Sequence, residues 1–163
     1  MAILLTVLGL GYVPLAIALS WIDMREHRLP NRLVLALAGW VAVCSLGASF
    51  VPELRSAVLW AVLIGLAAGA VGILIALVGP QLLGMGDAKV LAPVVVTAAL
   101  PGWDALAAGA VGLAVLGGAA GCAAAIRAGS LRARFAYGPL LLCMPVIGIL
   151  GAPLVRDALG TTI

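Results

Sequence analysis

The chain has 163 residues, 65% of them hydrophobic and only 9% charged, far below the roughly 25% charge of soluble globular domains. Apolar runs long enough to cross about 30 Å of hydrocarbon recur along its whole length, which indicates an integral membrane protein and excludes a soluble domain of useful size between the spans. In a soluble protein the net charge of +3 would weakly hint at an anionic partner; here the positions of the charges say more than their sum, and no nucleic-acid partner is expected.

The first apolar run predicts helix 1 over residues 2–22. It has no positive n-region, it is longer than an ordinary h-region, and no small-x-small cleavage site precedes the charged segment. It therefore reads as a retained span and not as a signal peptide. Asp23 follows at its end, and Arg25, Arg28 and Arg32 mark a basic loop. Pro30 disfavours helix at Leu29 and suits a helix start, so helix 2 is expected over 31–49. Residues 50–55 form a turn of mixed charge, and helix 3 opens at Ser56 or Ala57 and runs to Val78, with Gly79, Pro80 and Gln81 ending it. Gly65, Gly69 and Gly72 give helix 3 a small-residue stripe, and residues 117–121 give helix 5 another. Both are expected to be seams where helix backbones approach closely in lipid.

The next apolar run, residues 90–100, would span only about 16 Å at helical rise. For helix 4 to cross, it must begin near residues 84–87, which draws Asp87 and Lys89 toward the membrane. Charge and glycine-rich backbone at such depth are tolerated where protein or a water-filled cavity covers them. Chain length alone thus points to a site in the Gly84-Met85-Gly86-Asp87-Ala88-Lys89 stretch. Trp103 and Asp104 begin the turn into helix 5, over about 105–126; Arg127, Arg132 and Arg134 form a second basic loop; helix 6 covers about 136–155, with Arg156 and Asp157 in a tail.

The fold expected is therefore all-α, a polytopic membrane bundle of about six transmembrane helices forming a single membrane-embedded domain over 1–163. Arg25, Arg28, Arg32, Lys89, Arg127, Arg132 and Arg134 lie on one side of it, and Arg55 and Arg156 on the other. The positive-inside tendency makes the first side cytoplasmic and places both termini outside. Asp23 and Asp87 then share the cytoplasmic face, an agreement that five or seven spans would break. Cys44, Cys122 and Cys143 each fall inside an apolar run with no Cys-x-x-Cys spacing. They are expected to be small core residues, with no disulfide, metal or cofactor.

Two carboxylates at one membrane face have three readings. They are interfacial residues marking where spans stop, or a proton relay or ion site in a transporter or scaffold, or the pair of an aspartyl protease. In the last, one ionised carboxylate takes a proton from the attacking water while the other, protonated, donates to the developing oxyanion. Like charges at short range raise one pKa and sustain that mixed state, and such a pair titrates as a unit.

Three stretches together carry a resemblance: Gly84-x-Gly86-Asp87-x-Lys89; Asp23 at the end of the first span with the Arg28-Leu29-Pro30-Asn31 run; and Tyr137-Gly138-Pro139-Leu140 at the start of the last span. In this the chain is similar to the type IV prepilin peptidase family, membrane-embedded aspartyl proteases with a Gly-x-Gly-Asp motif. The resemblance covers essentially the whole chain. It implies an endopeptidase that removes the basic leader from prepilins or pseudopilins at the cytoplasmic face of the bacterial inner membrane. Asp23 and Asp87 would be its catalytic pair, with Gly84 and Gly86 shaping the motif and Tyr137, Gly138 and Pro139 lining the site. Long members of the family carry a cytoplasmic cysteine-rich insertion and also methylate the new N-terminus. No such insertion follows helix 1, so the chain looks like the short peptidase-only form found with Flp-type pili.

Around the pair, Lys89 would tune Asp87 or bind lipid phosphate, and Asn31 would cap helix 2 or orient a carboxylate. Glu26 is a candidate leader contact, His27 a solvated side chain, and Arg25, Arg28 and Arg32 membrane anchors. Glu53, Asp104 and Asp157 sit on the opposite face and should be dispensable. A presenilin-type protease also has Gly-x-Gly-Asp, but it places its other aspartate inside a span after a tyrosine and uses a Pro-Ala-Leu element, which this chain lacks. The non-enzymatic alternative, a scaffold or proton-coupled transporter with Asp23 and Asp87 as its ion site, would show two matching halves with interrupted helices.

Overall fold

The computed structural model describes residues 1–26, 29–79, 83–129 and 137–160. Among these, six helices account for nearly the whole chain: α1 (Ala2–Glu26), α2 (Asn31–Ser49), α3 (Pro52–Val78), α4 (Met85–Ala99), α5 (Trp103–Ala128) and α6 (Gly138–Leu159). Every one except α4 is long and apolar enough to cross a membrane. α4 has 15 residues, about 22 Å at helical rise, and begins at Met85 as the length argument required. His27, Arg28, Pro80, Gln81, Arg132, Arg134 and the expected start of helix 6 at residue 136 lie outside the described residues.

Four helix boundaries differ from the sequence expectation, each through a local cause. α1 continues one turn past Ile22 to Glu26, so Asp23 lies inside it and not after it. Met24, Arg25 and Glu26 are good helix formers, and the Arg25 guanidinium stacks 4.4 Å over the Trp21 ring one turn back. α3 starts at Pro52, which absorbs most of the expected 50–55 turn. Proline in the first turn and Glu53 beside it are both helix-start signals, since the first-turn amides need no intrahelical acceptor and favour a nearby acid. α5 starts at Trp103 with Asp104 in its first turn, by the same preference. α6 runs on to Leu159, so Arg156 and Asp157 belong to its last turn and not to a tail; Gly160 ends it at φ 64°, a left-handed cap that glycine adopts at little cost.

α4 is the centre of the bundle. It packs on α3 and α6 and also touches α2 and α5, while α1 packs on α2 and α6. Val90 and the run from Pro93 to Ala98 are buried around its whole circumference, as befits a helix with no lipid-facing stripe. The outer helices turn Ile3, Leu10, Ile17, Leu63, Leu66, Val111 and Val115 outward, side chains that lipid solvates.

The helix 3 stripe is a seam, as expected. A Cβ at Gly69 would lie 2.7 Å from Ala92 Cβ, one at Gly72 would lie 2.8 Å from Leu91 Cδ2, and Gly65 sits directly on Val96. α3 therefore lies against α4 at backbone distance. The helix 5 stripe is not a seam along its length: Gly117 meets the Tyr137 ring, but Gly118 faces open space. The seam of α5 lies earlier, where Gly109 and Gly112 meet Met144 and Ile147 of α6. Both stretches of α5 are rich in small residues, and only tertiary placement decides which one faces a neighbour.

Long-range hydrogen bonds pin α1. The Tyr12 hydroxyl, buried, donates to the Leu142 carbonyl of α6 at 3.0 Å, and Trp40 Nε1 of α2 donates to the Leu8 carbonyl at 3.0 Å. At the far end, Arg156 of α6 pairs with Asp104 of α5. The cysteines are all free; Cys44 is buried, but Cys122 and Cys143 are exposed on the outside of the bundle, which corrects the expectation that all three are core residues.

Candidate active site

Asp23 extends the inward face of α1. That helix buries Leu8, Tyr12, Ala16, Leu19 and Asp23, spaced by three or four residues as one helical stripe must be. The stripe carries a carboxylate at its last position, where Asp23 is only 7% exposed. Asp87 comes from the opposite direction, in the first turn of α4. The two carboxylates line one cavity of about 330 Å³, together with Leu29, Asn31, Gly84, Met85, Gly86 and Lys89. A single water occupies about 30 Å³ in the liquid, so the cavity has room for several waters.

The two motif glycines do different work. A Cβ at Gly86 would come within 3.2 Å of Leu29 Cβ, so this glycine lets the start of α4 lie against the chain entering α2. Gly84 is the residue before α4, extended at φ −67° and ψ 141°, a conformation open to any residue. A side chain there would meet only Asp87 Oδ2, at 3.4 Å. Gly84 thus leaves the mouth of the cavity bare beside Asp87.

The third signature region joins the same end. The Gly138 amide, at the start of α6, donates to Asp23 Oδ2 at 3.2 Å. Pro139 follows in the first turn, where its missing N–H leaves no acceptor unpaired. Tyr137 packs on Gly117, whose added Cβ would stand 3.0 Å from Cε2 of the ring. Burial, and after it the charge of Asp87, push the Tyr137 phenol above its usual range, so the ring lies within electrostatic reach of Asp87.

Asp87 precedes the apolar stretch of α4. Burial first, and then the negative charge of Asp23, raise its carboxyl from 3.8 to about 6. A carboxyl in this condition keeps a proton where a surface aspartate has lost it.

Lys89 does not pair with Asp87; its ammonium donates to Asn31 Oδ1 at 3.0 Å. That corrects both expectations for Asn31. It is the first residue of α2, it makes no side-chain cap, its amide oxygen accepts from the lysine, and among the described residues no hydrogen bond joins it to Asp23 or Asp87. Glu26 is exposed at the end of α1, and His27 is outside the described residues. Glu53 opens α3, and Asp104 and Asp157 lie where α5 starts and α6 ends, at the other end of the bundle. Among the described residues no group of three or more histidines, cysteines and acids is arranged to hold a metal ion.

What sequence reasoning missed is the packing of Leu29 against Gly86 and the bond made by the amide of Gly138. Leu29 was visible in the Arg28-Leu29-Pro30-Asn31 run and as the residue before a proline, neither of which shows what it packs on. A backbone donor has no side-chain signature at all, although Gly-Pro at a helix start is a cue that an amide is presented there. A larger groove, lined by Gly11, Pro14, Leu15, Ala36, Gly39, Trp40 and Val43, is apolar and holds no ionisable group.

A family model described as the type IV leader peptidase family matches residues 10–131. The match includes Asp23, Asn31 and Gly84 to Lys89, while Tyr137 to Pro139 lie just beyond it. Neither the curated proteins nor the solved structures yield a significant match.

Proposed function

The chain belongs to the type IV leader peptidase family, and from that premise we propose that it is an aspartic endopeptidase cleaving the basic leader from prepilins or pseudopilins, with Asp23 and Asp87 as its catalytic pair. The observation that carries this reading is their placement: a carboxylate at the last position of the α1 stripe and one in the first turn of α4 open on the same polar cavity. The chemistry needs only water, a peptide carbonyl and two carboxyls in unlike protonation states.

The enzyme is a multi-pass protein of the bacterial cytoplasmic membrane with its site at the cytoplasmic face and both termini outside. Arg25, Lys89 and Arg127 cluster with the cavity end of the helices, and Arg55 and Arg156 belong to the other, which favours that orientation. The leader, basic and cytoplasmic, meets the cavity there. The chain between α1 and α2 has four residues and no cysteine, which supports a peptidase without the methyltransferase insertion, of the Flp-type branch.

The test is co-expression with a candidate prepilin tagged at its C-terminus, comparing the wild type with Asp87→Asn by the mass of the substrate's N-terminus. Loss of the leader with the wild type alone, leaving an unmethylated N-terminus, is the expected result. A methylated product overturns the peptidase-only assignment. No cleavage of several prepilins from the same genome, with the enzyme correctly inserted, overturns the peptidase in favour of an ion site or scaffold.

A further inference from the structure

The two carboxylates are held differently, and on the peptidase reading this separates their roles. We propose that Asp23 is the general base and Asp87 the general acid, and that Gly138 is the positioning residue that fixes this division through its backbone amide.

Asp23 is buried and yet supplied with a donor. The Gly138 N–H points out of the N-terminal end of α6 onto Oδ2, where the helix end carries partial positive charge. A backbone N–H bonded to a carboxylate favours its ionised form. Only glycine permits the contact: a Cβ at position 138 would stand 2.6 Å from Oδ2 and 3.0 Å from Cγ of Asp23. With Oδ2 engaged, Oδ1 is the oxygen that takes a proton from a water in the cavity.

Asp87 has no such support. Among the described residues no donor reaches its carboxylate, and Lys89, two positions on, is turned to Asn31. Its own helix start favours the anion, but burial and the facing Asp23 charge prevail and raise its carboxyl to about 6. The other groups around the cavity are Lys89 from α4, Tyr137 ahead of α6 and neutral Asn31 from α2; on α1, Arg25 is stacked on Trp21. Lys89 and Asn31 are bonded to each other, and Arg25 to the Trp21 ring, so none of these three supplies Asp87 with a compensating contact.

The step balances. As the water oxygen bonds to the scissile carbonyl carbon, its proton passes to Asp23 and the Asp87 proton passes to the carbonyl oxygen, giving a gem-diol. The C–N bond then breaks as Asp23 returns its proton to the leaving nitrogen, and Asp87 recovers a proton from a gem-diol hydroxyl. Both residues end as they began.

Infrared titration of the purified full chain from about pH 4 to about pH 9 reads the two carboxyls without any substrate. A protonated-carboxyl band that outlasts ordinary carboxylates is expected in the wild type, shifted to lower pH but still present in Asp23→Asn, and lost in Asp87→Asn. A band lost in Asp23→Asn and kept in Asp87→Asn overturns the assignment. Because no cleavage is involved, failure of the peptidase reading leaves this result standing, and the reverse also holds. For Gly138, the variant Gly138→Ala is expected to lower kcat on a prepilin at least about 10-fold with KM nearly unchanged. A purely structural role lowers the amount of folded enzyme and leaves kcat per folded enzyme unchanged, and an unchanged kcat per folded enzyme overturns the role of Gly138.

Discussion

Lys89 spans the cavity from α4 to reach Asn31 at the start of α2, its Nζ 3.0 Å from Oδ1. The bond ties the first turn that carries Asp87 to the neighbouring helix, 58 positions away in sequence. An exposed hydrogen bond of this kind contributes about 1 kcal/mol net. Lys89→Met and Asn31→Ala are each expected to lower kcat/KM on a prepilin about 3- to 10-fold. Because they break one interaction, the double variant should be little worse than the worse single variant. Fully multiplicative losses in a double-mutant cycle would mean that the two residues act independently.

Asp23→Asn and Asp87→Asn should each remove leader cleavage, by at least about 100-fold where one acid or base is lost, with the protein still inserted. Asp104→Asn is the control: its carboxylate pairs with Arg156 at the far end of the bundle and should leave cleavage near wild type. Substrate N-terminal mass, with membrane extraction to check insertion, measures all three. Near-normal cleavage by either of the first two variants would sink the two-carboxylate mechanism.

The six helices and the common end of the two aspartates were legible in the sequence because both follow from counting: apolar length sets the spans, and their parity sets the side. The start of α4 was legible for the same reason, since residues 90–100 alone were too short to cross. Helix ends were less so. Residues 23–26 read as loop because Asp23, Arg25 and Glu26 are charged, yet a helix leaving the apolar layer continues while its residues favour it and Trp21 offers Arg25 a stacking partner. The inward stripe of Leu8, Tyr12, Ala16, Leu19 and Asp23 was hidden because α1 is apolar on every face, so no polar side marked which face turned inward. Partner choices such as Lys89 with Asn31, or the Gly138 amide with Asp23, depend on helix rotation, which composition does not encode.

The α3–α4 seam holds the helix that carries Asp87. A leucine at Gly69 starts from a Cβ only 2.7 Å from Ala92 Cβ and must push α4 outward, whereas one at Gly118 starts in open space. Gly69→Leu is expected to destabilise the protein by about 1–3 kcal/mol and to cost more activity than stability, because it displaces the turn that carries Asp87. Gly118→Leu should be neutral in both. Thermal unfolding in detergent and prepilin cleavage, measured on the same preparations, compare them; equal behaviour of the two variants would contradict the packing described.

Asp87 also sets a pH dependence of stability. Its carboxyl titrates at about 6 in the folded chain against an ordinary 3.8, so the folded state binds this proton more tightly than the unfolded state. The stability contributed by that proton is complete below the ordinary value and is lost as pH rises through about 6. Wild-type protein should therefore lose a few degrees of Tm relative to Asp87→Asn between about pH 4 and about pH 7. Other titrating groups are common to both proteins and cancel in the comparison. Asp87→Asn should then be the more heat-stable form at neutral pH while inactive, since the amide removes both the cost of a second charge in the cavity and the proton the reaction needs. Parallel Tm curves for the two proteins across that range would show that Asp87 titrates as an ordinary surface carboxylate and would count against the acid role proposed for it.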